Sequence, residues 1–93
     1  MIIVHGGITV DPARIGDIEE AGATFQKASK AEDGCVEYQL SWKIDEPGNL
    51  RLLEIWESRD KHEAHKDQAH TREWTTFISS VATAAPQFYD ITA

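Results

Sequence analysis

Glu54-Ile55-Trp56-Glu57-Ser58 ends an apolar run and gives way at once to a polar segment holding His62, His65 and His70. The run it closes, Leu50 to Glu57, is apolar on both alternating sets, with Leu52 and Trp56 on one and Leu53 and Ile55 on the other. That is the pattern of an interior strand covered on both faces. Ser58 can cap a short helix reaching to about Gln68, because its hydroxyl can accept from amides of the first turn. A strand therefore hands over to a helix at Ser58, and three of the four histidines fall within the nine positions from His62 to His70.

Upstream of this junction, Asp45-Glu46-Pro47-Gly48-Asn49 supplies a turn, and Val36, Tyr38, Leu40 and Trp42 alternate with Cys35, Glu37, Gln39 and Ser41, so the two segments read as a hairpin. Further back, Ile2 to Val10 is again β-branched and apolar on both sets and reads as a second central strand. Asp11-Pro12 then opens a helix, with Asp11 as cap and Pro12 where a missing N–H costs nothing. Ile15, Ile18, Gly22 and Phe25 form its buried stripe, and Gly34 is its natural stop. Downstream, Trp74, Phe77, Ile78 and Val81 recur at helical spacing, Pro86 ends that helix, and Phe88 to Thr92 is a last short strand. The order β-α-β-β-α-β predicts an α+β fold, the ferredoxin-like sandwich of an antiparallel sheet with helices on one face.

The open face of such a sheet, apolar in both central strands, calls for a cover. A chain of 93 residues buries only roughly 60–65% of its unfolded surface, so a homodimer is expected, with a second copy over the open face. Nothing suggests a second domain within residues 1–93. Nine basic against sixteen acidic residues give a net charge of −7, which repels phosphate backbones and anionic lipid and excludes nucleic acid as a partner. No long apolar run or charged-then-apolar leader is visible, so a cytoplasmic location and no membrane are expected. The single cysteine, Cys35, has no internal disulfide partner and reads as a small packing residue.

A strand closing in Glu-x-Trp-Glu-Ser, followed by a short helix bearing His62, His65 and His70, resembles the antibiotic biosynthesis monooxygenase superfamily and its small dimeric quinol monooxygenases. The resemblance extends to Gly6–Pro12 (GGITVDP), Glu32–Tyr38 (EDGCVEY) and Pro86 with Phe88-Tyr89, and so spans nearly the whole chain. It implies a dimeric α/β-barrel in which two sheets pack face to face. The activity it implies is monooxygenation of a quinol or related polyphenol by O2 with no cofactor. An electron-rich dihydroxy-aromatic is deprotonated and reacts with O2 directly, and the protein supplies a base, a dry pocket and orientation. The haem-degrading branch of the same superfamily relies on an asparagine in the first strand, a tryptophan on the short helix and a haem-ligating histidine in the next. This chain has Gly6 or Gly7, His65 and Thr75 at those places, so the axial ligand is missing.

His65 and His70 fall where the quinol monooxygenase branch places its histidines, and an imidazole of pKa near ~6.5 suits abstraction of a phenolic proton. Read from spacing alone, His65 is equally a base or a helix-surface residue, and His62, in a charged run, is a solvated one. His62 and His65 share a helical face, but two ligands are too few and no zinc-type spacing follows, so no metal is expected. Trp56, Trp74 and Phe25 are candidates to line an apolar substrate cavity, or are simply core. Tyr38 is a candidate phenolic donor. Glu54, a carboxylate on an interior strand, must be paired or functional, with Arg14, Arg51 or Arg72 as expected partners. His5, beside two glycines that suggest close backbone approach or a bulge, completes the substrate-binding candidates. The competing class is a dimeric small-molecule-binding or stress-associated module of the same fold that does no oxygen chemistry.

Overall fold

The computed structural model describes residues 1–93. Strand β1 (Ile2–Thr9) leads through a 3₁₀ turn (Pro12–Arg14) into helix α1 (Ile15–Lys30), followed by β2 (Cys35–Trp42), β3 (Asn49–Trp56), α2 (Arg59–Lys66), α3 (Ala69–Val81) and β4 (Gln87–Thr92). The strands lie in the order β2-β3-β1-β4, antiparallel throughout, so β1 and β3 are the two interior strands. This is the ferredoxin-like arrangement expected from the sequence.

Of the local signals, Ser58 acts where the sequence puts it, whereas Asp11, Gly34 and Pro86 lie away from the helix ends assigned to them, α3 ending at Val81. Asp11 accepts from the Ala13 amide at 3.0 Å, although the turn it caps is 3₁₀ and the α-helix begins at Ile15. Ser58 accepts from the Lys61 amide at 3.3 Å and starts α2. Helix α1 ends at Lys30, four residues before Gly34, whose φ of +86° closes the loop in the left-handed region that favours glycine.

The even-numbered residues of β1 and β3 face the helices. Ile8, Val10 and Leu50 meet Ile18, Ile78 and Val81 in one apolar cluster, and Ile2, Val4 and Trp56 meet Phe25 and Tyr38 in another. The stripe of α3 is rotated slightly from the expected one, with Ile78 and Val81 buried and Trp74 and Phe77 only half-buried. The odd-numbered set faces away from the helices, where Ile3 pairs with Ile55 and Ile91, and His5 with Leu53 and Tyr89. Two features were not expected. A bulge between Cys35 and Glu37 turns Cys35 towards the core and Val36 out to solvent, reversing the faces assigned to them. In addition, β4 is exposed along its whole length, because no helix packs closely on its inner face and Tyr89 and Ile91 lie on the open face of the sheet.

Candidate functional site

That uncovered region is one wall of a cavity of about 730 Å³ between the sheet and helices α2 and α3. Val4 and Ile8 of β1, Leu52 of β3, Trp74 and Ile78 of α3 and Phe88 of β4 make most of its surface apolar. Gly6 explains how Phe88 comes to lie there. A Cβ at Gly6 would run into the Gln87 carbonyl and the Phe88 ring, so the glycine permits the close approach that the sequence suggested.

The polar end of the cavity is Glu54, His62, His65 and Tyr38. Glu54 is 5% exposed, His62 7% and His65 4%, so none is a surface group. This corrects the reading of His62 as solvated. Its place on the inner side of α2 follows from Ser58, which sets the helix register and turns positions 62 and 65 towards β3.

Glu54 pairs with none of the expected arginines. Its Oε1 accepts from the Trp56 indole N–H at 2.8 Å and stands 3.8 Å from His65 Nε2 and 3.9 Å from His62 Nε2. The two histidine separations are too long for hydrogen bonds but close enough for charge to be felt. Burial pushes the Glu54 carboxyl up from 4.5 to about 7, against the Trp56 hydrogen bond, which favours the anion. Arginine pairing fails because the strand turns Glu54 inward, with the even set, while Arg51 belongs to the odd set.

His65 is held from its other side. Its Nδ1 lies 2.5 Å from Glu32 Oε2, and the same oxygen lies 2.8 Å from His70 Nε2. Burial holds the His65 imidazolium below the ordinary value of 6.5, with the Glu32 hydrogen bond and charge pulling the other way. His62 is also held down, first by burial and then by the Lys66 charge, and its Nδ1 has no partner. The Tyr38 phenol, opposite Glu54 in the β2–β3 register, is pushed up by burial and then by the Glu54 charge, so it remains a donor. The Cys35 thiol is raised to about 11, chiefly by burial, which leaves it a packing group.

Of the residues singled out in the sequence, His65, Glu54, Tyr38, Trp74 and Phe25 meet at this cavity. Trp56 is fully buried behind Glu54 and acts on it rather than on the cavity space. His70 lies on the far side of Glu32, in a groove of about 460 Å³ between α1 and α3. His5 points from the opposite face of the sheet, stacked on Tyr89 at 5.4 Å between ring centroids, and does not share the site. Its odd position in β1 dictates this. Glu32 was not anticipated; it sits in a loop 33 residues from His65, and no spacing links them.

Glu32 Oε2, His65 Nδ1 and His70 Nε2 lie within 4.8 Å of one another, donor types that could hold a divalent ion. Their separations of 2.5 and 2.8 Å are hydrogen-bond lengths. Ligand atoms around a shared ion at ~2.0–2.2 Å would sit ~3 Å or more apart. As it stands, the cluster is a carboxylate receiving two imidazoles.

A family model for antibiotic biosynthesis monooxygenase matches residues 1–76. The chain is 27% identical over 70 residues to "Putative monooxygenase YcnE" of Bacillus subtilis (strain 168), covering 75% of this chain and 74% of that protein. A crystal structure of an antibiotic biosynthesis monooxygenase matches with a TM-score of 0.94 at 18% identity, over 100% of this chain and 98% of the other. Rv0793 from Mycobacterium tuberculosis matches at 0.90 and 21% identity, over 99% and 93%. At such identities the two structures speak for the fold, and the family model speaks for the lineage. With the match running from β1 into α3, this chain belongs to the antibiotic biosynthesis monooxygenase family.

Proposed function

We propose that the protein is a cofactor-independent monooxygenase of a quinol or related polyphenol, with His65 as the base. One observation carries this reading: an imidazole anchored through Nδ1, in which burial disfavours the charged form, has its Nε2 at the polar end of a largely apolar cavity. His65 Nε2 takes a phenolic proton, Tyr38 donates to the second oxygen, and Trp74, Phe88 and Leu52 hold the ring. The resulting phenolate carries the electrons that reduce O2. One oxygen atom enters the ring, the other leaves as water, and the quinol becomes a hydroxyquinone. An apolar enclosure suits this, because the phenolate is a stronger reductant where water does not solvate it. A homodimer formed through the odd-numbered sheet faces belongs to the same reading.

The test is oxygen consumption with a panel of hydroquinones, without added metal or flavin. His65→Gln should lower kcat by about 10²–10⁴-fold with the fold retained. Because burial lowers His65, the parental rate should rise with pH through a midpoint below 6.5, modulated by the neighbouring Glu32, Glu54, His62, His70 and Lys66 charges. Tight binding of hydroquinones with no oxygen uptake would instead favour a binding module.

A further inference from the structure

We infer that Glu32 is the positioning residue of this site: its carboxylate, tied on one side to His70, holds His65 as the Nδ1–H tautomer and so leaves the Nε2 lone pair facing the cavity. The inference rests on the proposed role of His65 and extends it to a residue outside the cavity wall.

The geometry leaves little choice of tautomer. A carboxylate only accepts, so the 2.5 Å contact from His65 Nδ1 to Glu32 Oε2 requires the ring proton on Nδ1. A neutral ring then has its lone pair on Nε2, the nitrogen turned towards Glu54. With the proton on Nε2 instead, His65 would present a donor to the cavity and could not take a proton from substrate. Thr71 Oγ1, at 3.4 Å from the same Nδ1, is too distant to substitute for the carboxylate.

Glu32 is itself held. His70 Nε2 contacts the same oxygen at 2.8 Å, and its ring lies against Phe25 with centroids 5.9 Å apart. The loop carrying Glu32 is fastened to α2 by the Asp33–Lys61 ion pair and to the end of β3 by the Glu57 amide donating to the Gly34 carbonyl at 2.8 Å. The Lys61 stem covers Gly34 so closely that a Cβ there would collide with it. The helix bearing the base and the loop bearing its acceptor are thus joined by an ion pair, a backbone hydrogen bond and the packing of Lys61 on Gly34. The Glu32 side chain is only 10% exposed, so water competes poorly for the contact. When substrate gives its proton to Nε2, the charge formed on His65 lies directly against the carboxylate. His70 finds its use here as well, as a second donor that fixes the carboxylate rather than as a base.

The experiment compares Glu32→Ala and Glu32→Gln with the parent in two readouts. Nitrogen-15 chemical shifts of the histidine rings report the tautomer of His65 without reference to turnover, and oxygen uptake with hydroquinones reports kcat and KM. In the parent, His65 should show a protonated Nδ1 and an unprotonated Nε2. In Glu32→Ala that signature should be lost and kcat should fall about 10–10⁴-fold with KM nearly unchanged, the range seen when the carboxylate that orients a working histidine is removed. Glu32→Gln can still accept through its amide oxygen, so it should keep the tautomer, lose the charge and fall between the two in rate. A folded Glu32→Ala protein with the parental tautomer and rate would overturn the inference. So would stoichiometric zinc or iron uptake that depends on Glu32 and is needed for activity, since the cluster would then be a metal centre. If the tautomer responds as expected while His65→Gln leaves turnover intact, positioning stands and the base assignment alone fails.

Discussion

Replacing Glu54 with glutamine should stabilise the protein at alkaline pH and leave it nearly unchanged in acid. Glu54 is buried and its carboxyl is raised from 4.5 to about 7 in the folded state, chiefly by loss of water. A group whose folded pKa is raised favours folding fully below its unfolded pKa and loses that contribution as pH climbs through its folded pKa. The window therefore runs from about 4.5 to about 7. At about 1.4 kcal/mol per pH unit, the ionised carboxylate costs the folded state about 3 kcal/mol by pH 8. Glutamine preserves the shape and keeps an oxygen to accept the Trp56 indole N–H, and its amide can turn towards His62 and His65. Urea unfolding of parent and variant at pH 4.5, 6 and 8, at one protein concentration, gives the difference directly. Taking the difference matters, because His62 and His65 are lowered and act in the opposite sense, losing stability as pH falls below 6.5. The variant should match the parent at pH 4.5 and exceed it by up to about 3 kcal/mol at pH 8. A difference that is flat with pH, or a variant weaker than the parent at pH 8, would refute the idea that desolvation governs Glu54.

Two further outcomes follow from packing. Ile78→Ala should cost about 2–5 kcal/mol because that side chain lies in the core cluster, whereas Phe77→Ala, only half-buried on the flank of α3, should cost less than about 2 kcal/mol; denaturant midpoints separate the two, and the reverse order would mean the helix register is wrong. The odd-numbered face carrying Ile3, Leu53, Ile55 and Ile91 should be covered by a second copy. Sedimentation should then show a dimer at micromolar concentration that Ile55→Glu dissociates, and a stable parental monomer would sink the idea.

The fold was legible where one local rule acted alone. Alternation in Ile2–Thr9 and Asn49–Trp56, the Ser58 cap and the α1 stripe through Ile18, Gly22 and Phe25 each belong to a single element, and the order of the elements along the chain pointed to the sandwich. The site was legible in part for the same reason. A carboxylate among apolar neighbours marked Glu54, and helical spacing placed His62 and His65 on one face. What stayed hidden depends on contacts between distant segments. The Glu32–His65 contact joins a loop to a helix across 33 residues, and the His62 burial depends on how α2 lies against β3. The bulge at Val36 likewise answers to the partner strand, since an extra residue shows only when the opposite register is known. His5 was misplaced by giving weight to its glycine neighbours over its odd position in β1.

The arrangement also bears on the proposed dimer. The cavity exists because β4 has no helix over its inner face, and the same gap removes apolar contacts that would otherwise stabilise the protomer. Within it, the fold keeps a carboxylate raised to about 7, an imidazole with an unpartnered Nδ1 and, nearby on α1, a Ser29 hydroxyl with no partner. Each such group costs about 1–3 kcal/mol when buried, against a usual net stability of about 5–15 kcal/mol for a domain. Burial of the odd-numbered apolar face against a second copy would add to that margin while leaving the cavity, on the other side of the sheet, free to take its substrate. Chemistry and association would then occupy opposite faces of one sheet, separated by the strict alternation of β1 and β3.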